Sequence, residues 1–560
     1  MTDPPRPPWR LVPVLTLVPI GAAATYLVIV AARFPRIIAD IHLNPDASWA
    51  PVLARDLASD RHGGHILVGA ASQFTAIWFL VLTRWVPFRD AIWDVAPYLT
   101  FLAGLLVVAW ACRRIAGLWP AVLTFALAAC GNSAVLLTVM SEGIHGNTYV
   151  ADGLLGAFLV YWATRSPDRV WWGRILVVAM VVIAGSSLAS DTLFLASGLG
   201  PFLGAALVLW LLRRDRRSGQ VALLSTGITA ASVVLAGGAD RLMTALGFRR
   251  TYETGGYALA SRRLALANVA KFGRGVRLLG NATPAAGHVG PLGATHLLML
   301  VFVVGAVVLP FVLLGHALHQ GHWTTRPWSD GTDEARLLYL AFWILSGLAV
   351  GIAFSITTFA DGPSDPSRYV LPAFFALAAT VPVWGAQLGW RRITVAVGAT
   401  LFCVLSITEG QTLFQYGTGF HQTAAQGPAV ISFLETQGVT VGYTGYFDSH
   451  PLTLEAGLRV HFYPVNNCRA PASYRLCPFY VNARTAWYLP RPSTRTFVLF
   501  DADTPADVAA VPTTALGAPE LERRFGVLYV FIYDYDVAAR FTPPCPANAV
   551  NPLACPNKPL

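Results

Sequence analysis

The sequence predicts a mostly α-helical, polytopic membrane protein of about eleven spans, followed by a C-terminal extracytoplasmic α+β domain. Three observations set that class. Of 560 residues, 55% are hydrophobic and only 12% are charged, with a mean hydropathy of +0.53. A soluble chain of this size needs far more polar surface. The apolar residues are also gathered into runs long enough to cross about 30 Å of hydrocarbon. Finally, Cys468, Cys477, Cys545 and Cys555 all fall in the polar segment behind the last run. Four cysteines there point to two disulfides and an oxidising compartment. The domains expected are therefore 1–410, transmembrane, and 411–560, extracytoplasmic.

The opening "MTDPPRPPWR" carries Arg6 and Arg10 ahead of an apolar run at 11–32. That run exceeds a signal-peptide core and reads as an uncleaved anchor with a cytoplasmic N-terminus. Further runs lie near 92–112, 118–140, 149–163, 174–190, 192–212, 220–238, 295–317, 336–358, 369–388 and 393–409. Arginine clusters at 112–117, 165–169, 213–217 and 390–392 mark cytoplasmic turns. An even number of spans must then separate the N-terminus from Arg113, and the runs 11–32 and 92–112 already supply two. The apolar stretch "ILVGAASQFTAIWFLVL", 66–82, is expected not to cross but to lie along the outer interface as a helix or to re-enter. The same parity places the C-terminal domain outside a bacterial cytoplasmic membrane.

The formal charge of +10 comes almost wholly from arginine, with lysine only at Lys271 and Lys558, a bias typical of high-GC bacterial genomes. Because these arginines flank apolar runs, nucleic acid is not a predicted partner. Cys112, Cys130 and Cys403 sit in or beside apolar runs and read as small hydrophobes.

Four polar features fall on the outer side. The first loop, 33–91, carries Asp40, Asp46, Asp56, Asp60, His62 and His65. The turn "SEGIHGNTYVAD", 141–152, holds Glu142 and His145 one helical turn apart, and Asp152 at the head of the next span. A basic loop at 239–294 contains "SRRLALANVAKFGRGVRLL". This places Leu266, Val269, Val276 and Leu279 near one helical face and Arg263, Arg274 and Arg277 off it. Such a helix suits membrane-lipid headgroups, or the phosphate of a lipid-linked substrate. The fourth feature, "FADGPSDPSRYVLP", 359–372, carries Arg368, which alone could be a snorkelling anchor. Read alone, Asp46 is one of several aspartates in a solvated loop, and Asp56 is a helix-surface residue ten positions on. No H-E-x-x-H, C-x-x-C, G-x-S-x-G or phosphate-loop pattern occurs, so cytosolic nucleotide chemistry is unsupported. What remains is extracytoplasmic chemistry by carboxylates and cations. No cofactor is called for, and a divalent metal is left open.

The order of these elements resembles the GT-C glycosyltransferases that use polyprenyl-phosphate sugars, in the branch of protein O-mannosyltransferases and lipid A aminoarabinose transferases. The likeness runs through "DASWAPVLARDL", "HGGHILVGAASQFTAIWFLVL", "APYLTFLAGLLVVAWACRRIAG", "NTYVADGLLGAFLVYW" and "SRYVLP", and covers residues 1–410. It implies a sugar moved from a polyprenyl-phosphate donor to an envelope glycan, lipid or protein acceptor. Asp46 would be the general base and Asp152 a second catalytic acid. Glu142, His145, His62, His65, Arg368, Arg263 and Arg274 would bind substrate. The sequence departs from the pattern at Ala47, where the family often has Glu, and around Asp191, where "SDTLFL" replaces a Lys-Gly-Pro turn. Behind 410, "VTVGYTGYFDSHPLTLEAGLRVHFYPV" and "RTFVLFDAD" read as strands with turns and "PAVISFLETQG" as a helix.

Two rival classes fit the composition. A lipid or polysaccharide transporter would line a pathway with these acids, although transporters bury such groups near the midplane and here they gather at outer span ends. A non-catalytic scaffold would bind glycan through tail aromatics such as Tyr443, Tyr446, Phe447 and Trp487.

Overall fold

The computed structural model describes residues 11–59, 66–68, 89–140, 146–165, 170–250, 258–282, 291–319, 331–358, 367–387, 391–416, 421–470, 473–479, 482–491, 494–501 and 516–541. Each apolar run of the sequence falls on helix. In chain order these are α1 (Leu11–His42), α3 (Arg89–Ala116), α4 (Leu118–Ala129) with α5 (Ser133–Met140), α6 (Gly146–Thr164), α7 (Val170–Ser190) and α8 (Gly200–Arg213). They continue with α9 (Arg216–Ala245), α11 (Pro291–His319), α12 (Gly331–Ile356), α13 (Ser367–Gln387) and α14 (Arg391–Tyr416). Between them α2 (Pro45–Ser59) lies in the first loop and α10 (Arg262–Leu279) in the basic loop. Among the described residues, seven helices are long and apolar enough to cross a membrane, or eight if one bent pair is a single span. That pair is α4 and α5, which meet at 89°. The break is at "CGN". Gly131 has no room for a side chain, since a Cβ there would lie 2.3 Å from Val135 Cγ1. Asn132 then accepts from the Val135 amide at 3.3 Å and caps the new helix.

The bundle has two chemically distinct ends. At one, Arg336 donates to the Ile115 carbonyl at 2.8 Å and Arg217 to the Ala163 carbonyl at 2.7 Å. There Arg213 pairs with Glu334, which Arg217 also approaches at 3.3 Å. The arginine-bearing ends of α3, α6, α8, α9 and α12 thus converge, as the charge pattern requires of one membrane side. At the other end, Tyr149 donates to the Arg368 carbonyl, His42 meets Asp94 at 3.2 Å, and Asn268 donates to the Thr357 carbonyl at 3.0 Å.

A small sheet ties that second end together. Its strands are β1 (Ile66–Val68), β2 (Phe248–Arg250) and β6 (Ala483–Arg484), in the order β2-β1-β6. They come from the first loop, the basic loop and the C-terminal domain, so all three segments share one side of the bundle. This corrects the expectation of an interfacial helix starting at residue 66. An Ile-Leu-Val triplet flanked by two partners satisfies its backbone in a ladder instead. Residues 69–88 lie outside the described residues.

The C-terminal domain is α+β, as expected. Helix α14 runs past residue 410 to Tyr416, and α15 (His421–Thr436) follows. The strands β3 (Val441–Thr444), β4 (His461–Ala470), β5 (Ser473–Pro478), β7 (Thr496–Asp501), β8 (Leu521–Phe525) and β9 (Leu528–Tyr533) form one sheet ordered β5-β4-β3-β7-β9-β8. β3 runs parallel to β4 and β7, and the remaining pairs are antiparallel. Side chains alternate between faces with a period of two. Phe462, Phe497, Leu499, Val530 and Ile532 meet α15 on one face. Tyr443, Tyr463, Val498, Phe500, Phe531 and Tyr533 share the other with α2. One correction applies. The stretch read as strands with turns contains a helix, α16 (Tyr446–Glu455), because parallel β3 and β4 need a crossover.

Candidate functional site at the loop-bearing end of the bundle

Helix α6 enters the bundle carrying Thr148, Tyr149 and Asp152. Thr148 and Asp152 are four residues apart and share a face. Thr148 Oγ1 donates to Asp191 Oδ2 at 3.1 Å. Asp191 ends α7, where its Oδ1 accepts from the Leu193 amide at 2.9 Å in an Asx turn. The chain then makes a π-helical turn, Leu195–Leu199, from which Ser197 Oγ donates to Asp152 Oδ1 at 3.2 Å. Single π turns inside helices recur at functional sites because they re-aim side chains. Gly198 lets this turn approach, since a Cβ there would stand 2.5 Å from Asp152 Oδ1 and 2.3 Å from the Phe194 ring. Asp152 is 1% exposed, and its Oδ2 has no hydrogen-bond partner among the described residues.

The opposite wall comes from α13. The Tyr149 hydroxyl donates to the Arg368 carbonyl, and its ring packs on Phe375 at 5.8 Å. The Arg368 guanidinium lies over the Tyr369 ring, 4.7 Å from its centroid. Of the sequence set, the structure places Asp152 in this cluster and Arg368 on the facing helix, joined to α6 through the Tyr149 hydroxyl and the Arg368 carbonyl. It adds Asp191, Tyr149, Thr148 and Ser197, which sequence reasoning missed. The available signal was "SSLASD", small polar residues closing an apolar run.

Arg263 and Arg274 stand on the exposed flank of α10. Its buried flank, Asn268, Gly275 and Leu279, packs on α12 and α13, with Gly275 directly against Val370. Leu266 and Val269 remain exposed on a third flank, as a helix lying in a membrane interface requires. Asp46 is the second residue of α2, which begins just beyond the His42–Asp94 pair; its side chain lies outside the described residues. Glu142, His145, His62, His65, Cys545 and Cys555 lie outside the described residues, as does the Cys468 side chain. In the β4–β5 ladder the backbone of Cys468 is in register with Arg475 and that of Cys477 with Asn466. Cys112, Cys130 and Cys403 are free and buried. Among the described residues, no three His, Cys, Asp or Glu side chains gather as a metal cage.

Asp56 requires a correction. Expected on a helix surface, it is 2% exposed and its Oδ2 pairs with Arg484 Nη1 at 2.8 Å. The indole of Trp487 donates to the same oxygen at 3.4 Å. A buried carboxylate needs such partners, and they come from 428 residues away, beyond any local pattern. Trp487 and Tyr443, offered as sugar-stacking aromatics, are core residues at 2% and 0% exposure, while Phe447 is exposed.

Behind α13, an apolar groove of about 510 Å³ runs between α11, α13 and α14 from the last turn of α10. Val276, Phe302, Phe374, Val381 and Phe402 are among its lining residues. Phe374 faces this groove while the adjacent Phe375 packs on Tyr149, so α13 separates groove from carboxylates.

No protein-family model matches the chain, and no curated protein matches it. Among solved structures it is similar to ArnT from Cupriavidus metallidurans bound to undecaprenyl phosphate, with a TM-score of 0.53 at 13% identity, covering 92% of this chain and 99% of that one. The apo state of the same protein aligns with a TM-score of 0.45 at 14% identity, over 93% of this chain and 100% of that one. The likeness to the lipid-bound structure shows a fold shared along nearly the whole chain, a multi-pass helical membrane body with a C-terminal α+β domain.

Proposed function

We propose that the chain is an inverting membrane glycosyltransferase that moves a sugar from a polyprenyl-phosphate donor to an envelope glycan, lipid or protein acceptor on the outer face of a bacterial cytoplasmic membrane. The observation that carries this reading is the buried Asp152, held by Ser197 one helical turn from the Thr148–Asp191 bond, at the bundle end that bears α2 and the C-terminal domain. The fold shared with a protein whose structure holds undecaprenyl phosphate supports the donor class.

An acceptor hydroxyl attacks the anomeric carbon from the face opposite the phosphate. The bond from that carbon to the phosphate oxygen breaks, its electron pair leaving with the polyprenyl phosphate, and Asp46 takes the hydroxyl proton. Arg368, with Arg263 and Arg274 of α10, stabilises the departing phosphate. Asp152 is held by Ser197 through one oxygen and offers the other to a sugar or acceptor hydroxyl. Glu142, His145, His62 and His65 bind substrate in this reading. The apolar groove beside α10 accommodates isoprenoid chain. Outside, Cys468, Cys477, Cys545 and Cys555 form two disulfides.

The test is transfer of label from polyprenyl-phosphate sugars by the purified chain in nanodiscs. Transfer supports the reading; uptake of substrate into proteoliposomes without transfer points to the transporter instead.

A further inference from the structure

Helix α2 is poorly suited to hold its own shape. It has 15 residues and carries Pro51 internally, which removes one backbone hydrogen bond and crowds the preceding turn. Yet Trp49, Ala50, Val52, Leu53 and Ala54 are all buried, in one core with Tyr443, Tyr463 and Trp487 of the C-terminal domain. The far end of the helix is gripped twice by a single residue. The Arg484 side chain pairs with Asp56, and the Arg484 backbone pairs in register with Ile66 of β1, the strand that follows α2.

We infer that Asp56 and Arg484 are a positioning pair through which the C-terminal domain sets the register of α2 and hence the placement of Asp46. Burying two charges contributes little net stability compared with apolar residues of the same shape, but it singles out one register, because any slip leaves a charge unpaired. Asp46 and Asp56 are ten residues apart, about 15 Å along a helix axis. The core contacts of Trp49, Ala50, Val52, Leu53 and Ala54 carry the register from the last turn past Pro51 to the first. Displacement of a reacting group by about 1 Å can cost about a hundredfold in rate. The C-terminal domain is thereby part of the catalytic apparatus without touching substrate.

This inference rests on Asp46 as the base, so the experiment has one readout that does not. Full-length protein in nanodiscs is compared with Arg484→Gln, Arg484→Lys, the apolar pair Asp56→Leu/Arg484→Met, and Arg459→Gln, which removes only the exposed pair with Glu435. Hydrogen exchange of the α2 amides is measured together with kcat and KM for a polyprenyl-phosphate sugar. Expected are exchange in α2 at least tenfold faster and kcat at least tenfold lower in Arg484→Gln, with donor KM unchanged. The apolar pair keeps the thermal midpoint yet loses kcat, and Arg459→Gln changes nothing. Arg484→Lys keeps the charge but not the fork, folds where Gln does not, and shows the same direction. Faster α2 exchange in a protein that transfers no sugar upholds the clamp and overturns the transferase reading. Unchanged α2 exchange and unchanged kcat in both Arg484 variants overturn the inference.

Discussion

Ser197 Oγ reaches Asp152 Oδ1 at 3.2 Å, joining a π-helical turn to a carboxylate about 9 Å inside the start of its helix. That bond leaves Asp152 Oδ2 buried and without a hydrogen-bond partner among the described residues. The geometry depends on Gly198, and it gives the first prediction. Gly198→Ala places a methyl group where Asp152 and Phe194 now sit, and overpacking of this kind costs about 1–3 kcal/mol. Transfer by Gly198→Ala is expected to fall at least tenfold, with a lower thermal midpoint in nanodiscs. Ser197→Ala, which only removes the donor, is expected to lower transfer without a comparable loss of stability.

Thr148 bridges from the same helix face to Asp191. Asp152→Asn and Asp191→Asn are both expected to reduce turnover. Asp152→Asn gives the larger loss, because Asp191 is already occupied by Thr148 and the Leu193 amide. Kinetics on the two purified variants check the order.

The three-stranded sheet predicts topology. Single cysteines placed at residues 88 and 440 should label with a membrane-impermeant thiol reagent in intact cells. A cysteine at residue 215, in the arginine-bearing end, should not. Protection at 88 with labelling at 440 would mean that 69–88 crosses after all.

His450 gives a pH signature. It is 1% exposed on α16, with Nε2 unpartnered among the described residues, and burial pushes its imidazole down to about 3. Unfolded, it titrates near 6.5, so between about 6.5 and 3 the unfolded state binds the extra proton. Its contribution is fully present above 6.5 and declines as pH falls, by about 1.4 kcal/mol per pH unit through that window. Chemical denaturation of the C-terminal domain in the full-length chain, followed by Trp487 emission from pH 7 to 4, should show this slope. His450→Leu should flatten it.

What was legible in the sequence followed from local physics. The apolar runs expected to span all fall on helix, although among the described residues seven of those helices, or eight with the bent pair, are long and apolar enough to cross against about eleven expected. Arginine clusters sorted the helix ends. The bend at Gly131–Asn132 was missed because hydropathy is blind to a glycine followed by a cap, and α16 was missed because flanking Val, Tyr and Phe residues mask a ten-residue crossover. Asp152 and Arg368 could be named singly. The bonds that tie the helix of Asp152 to Asp191 through Thr148 and to Arg368 through Tyr149 depend on how α6, α7 and α13 pack, which no spacing records. Asp56 was misread for the same reason, its partner lying in another domain.

The central claim is that Asp46 takes the acceptor proton. The measurement is turnover of a labelled polyprenyl-phosphate sugar by purified Asp46→Asn in nanodiscs, with donor binding measured on the same sample. Loss of a general base typically costs about a hundredfold or more. The account predicts a drop of that size with donor binding retained and α2 exchange unchanged. Near-normal turnover in Asp46→Asn would contradict it.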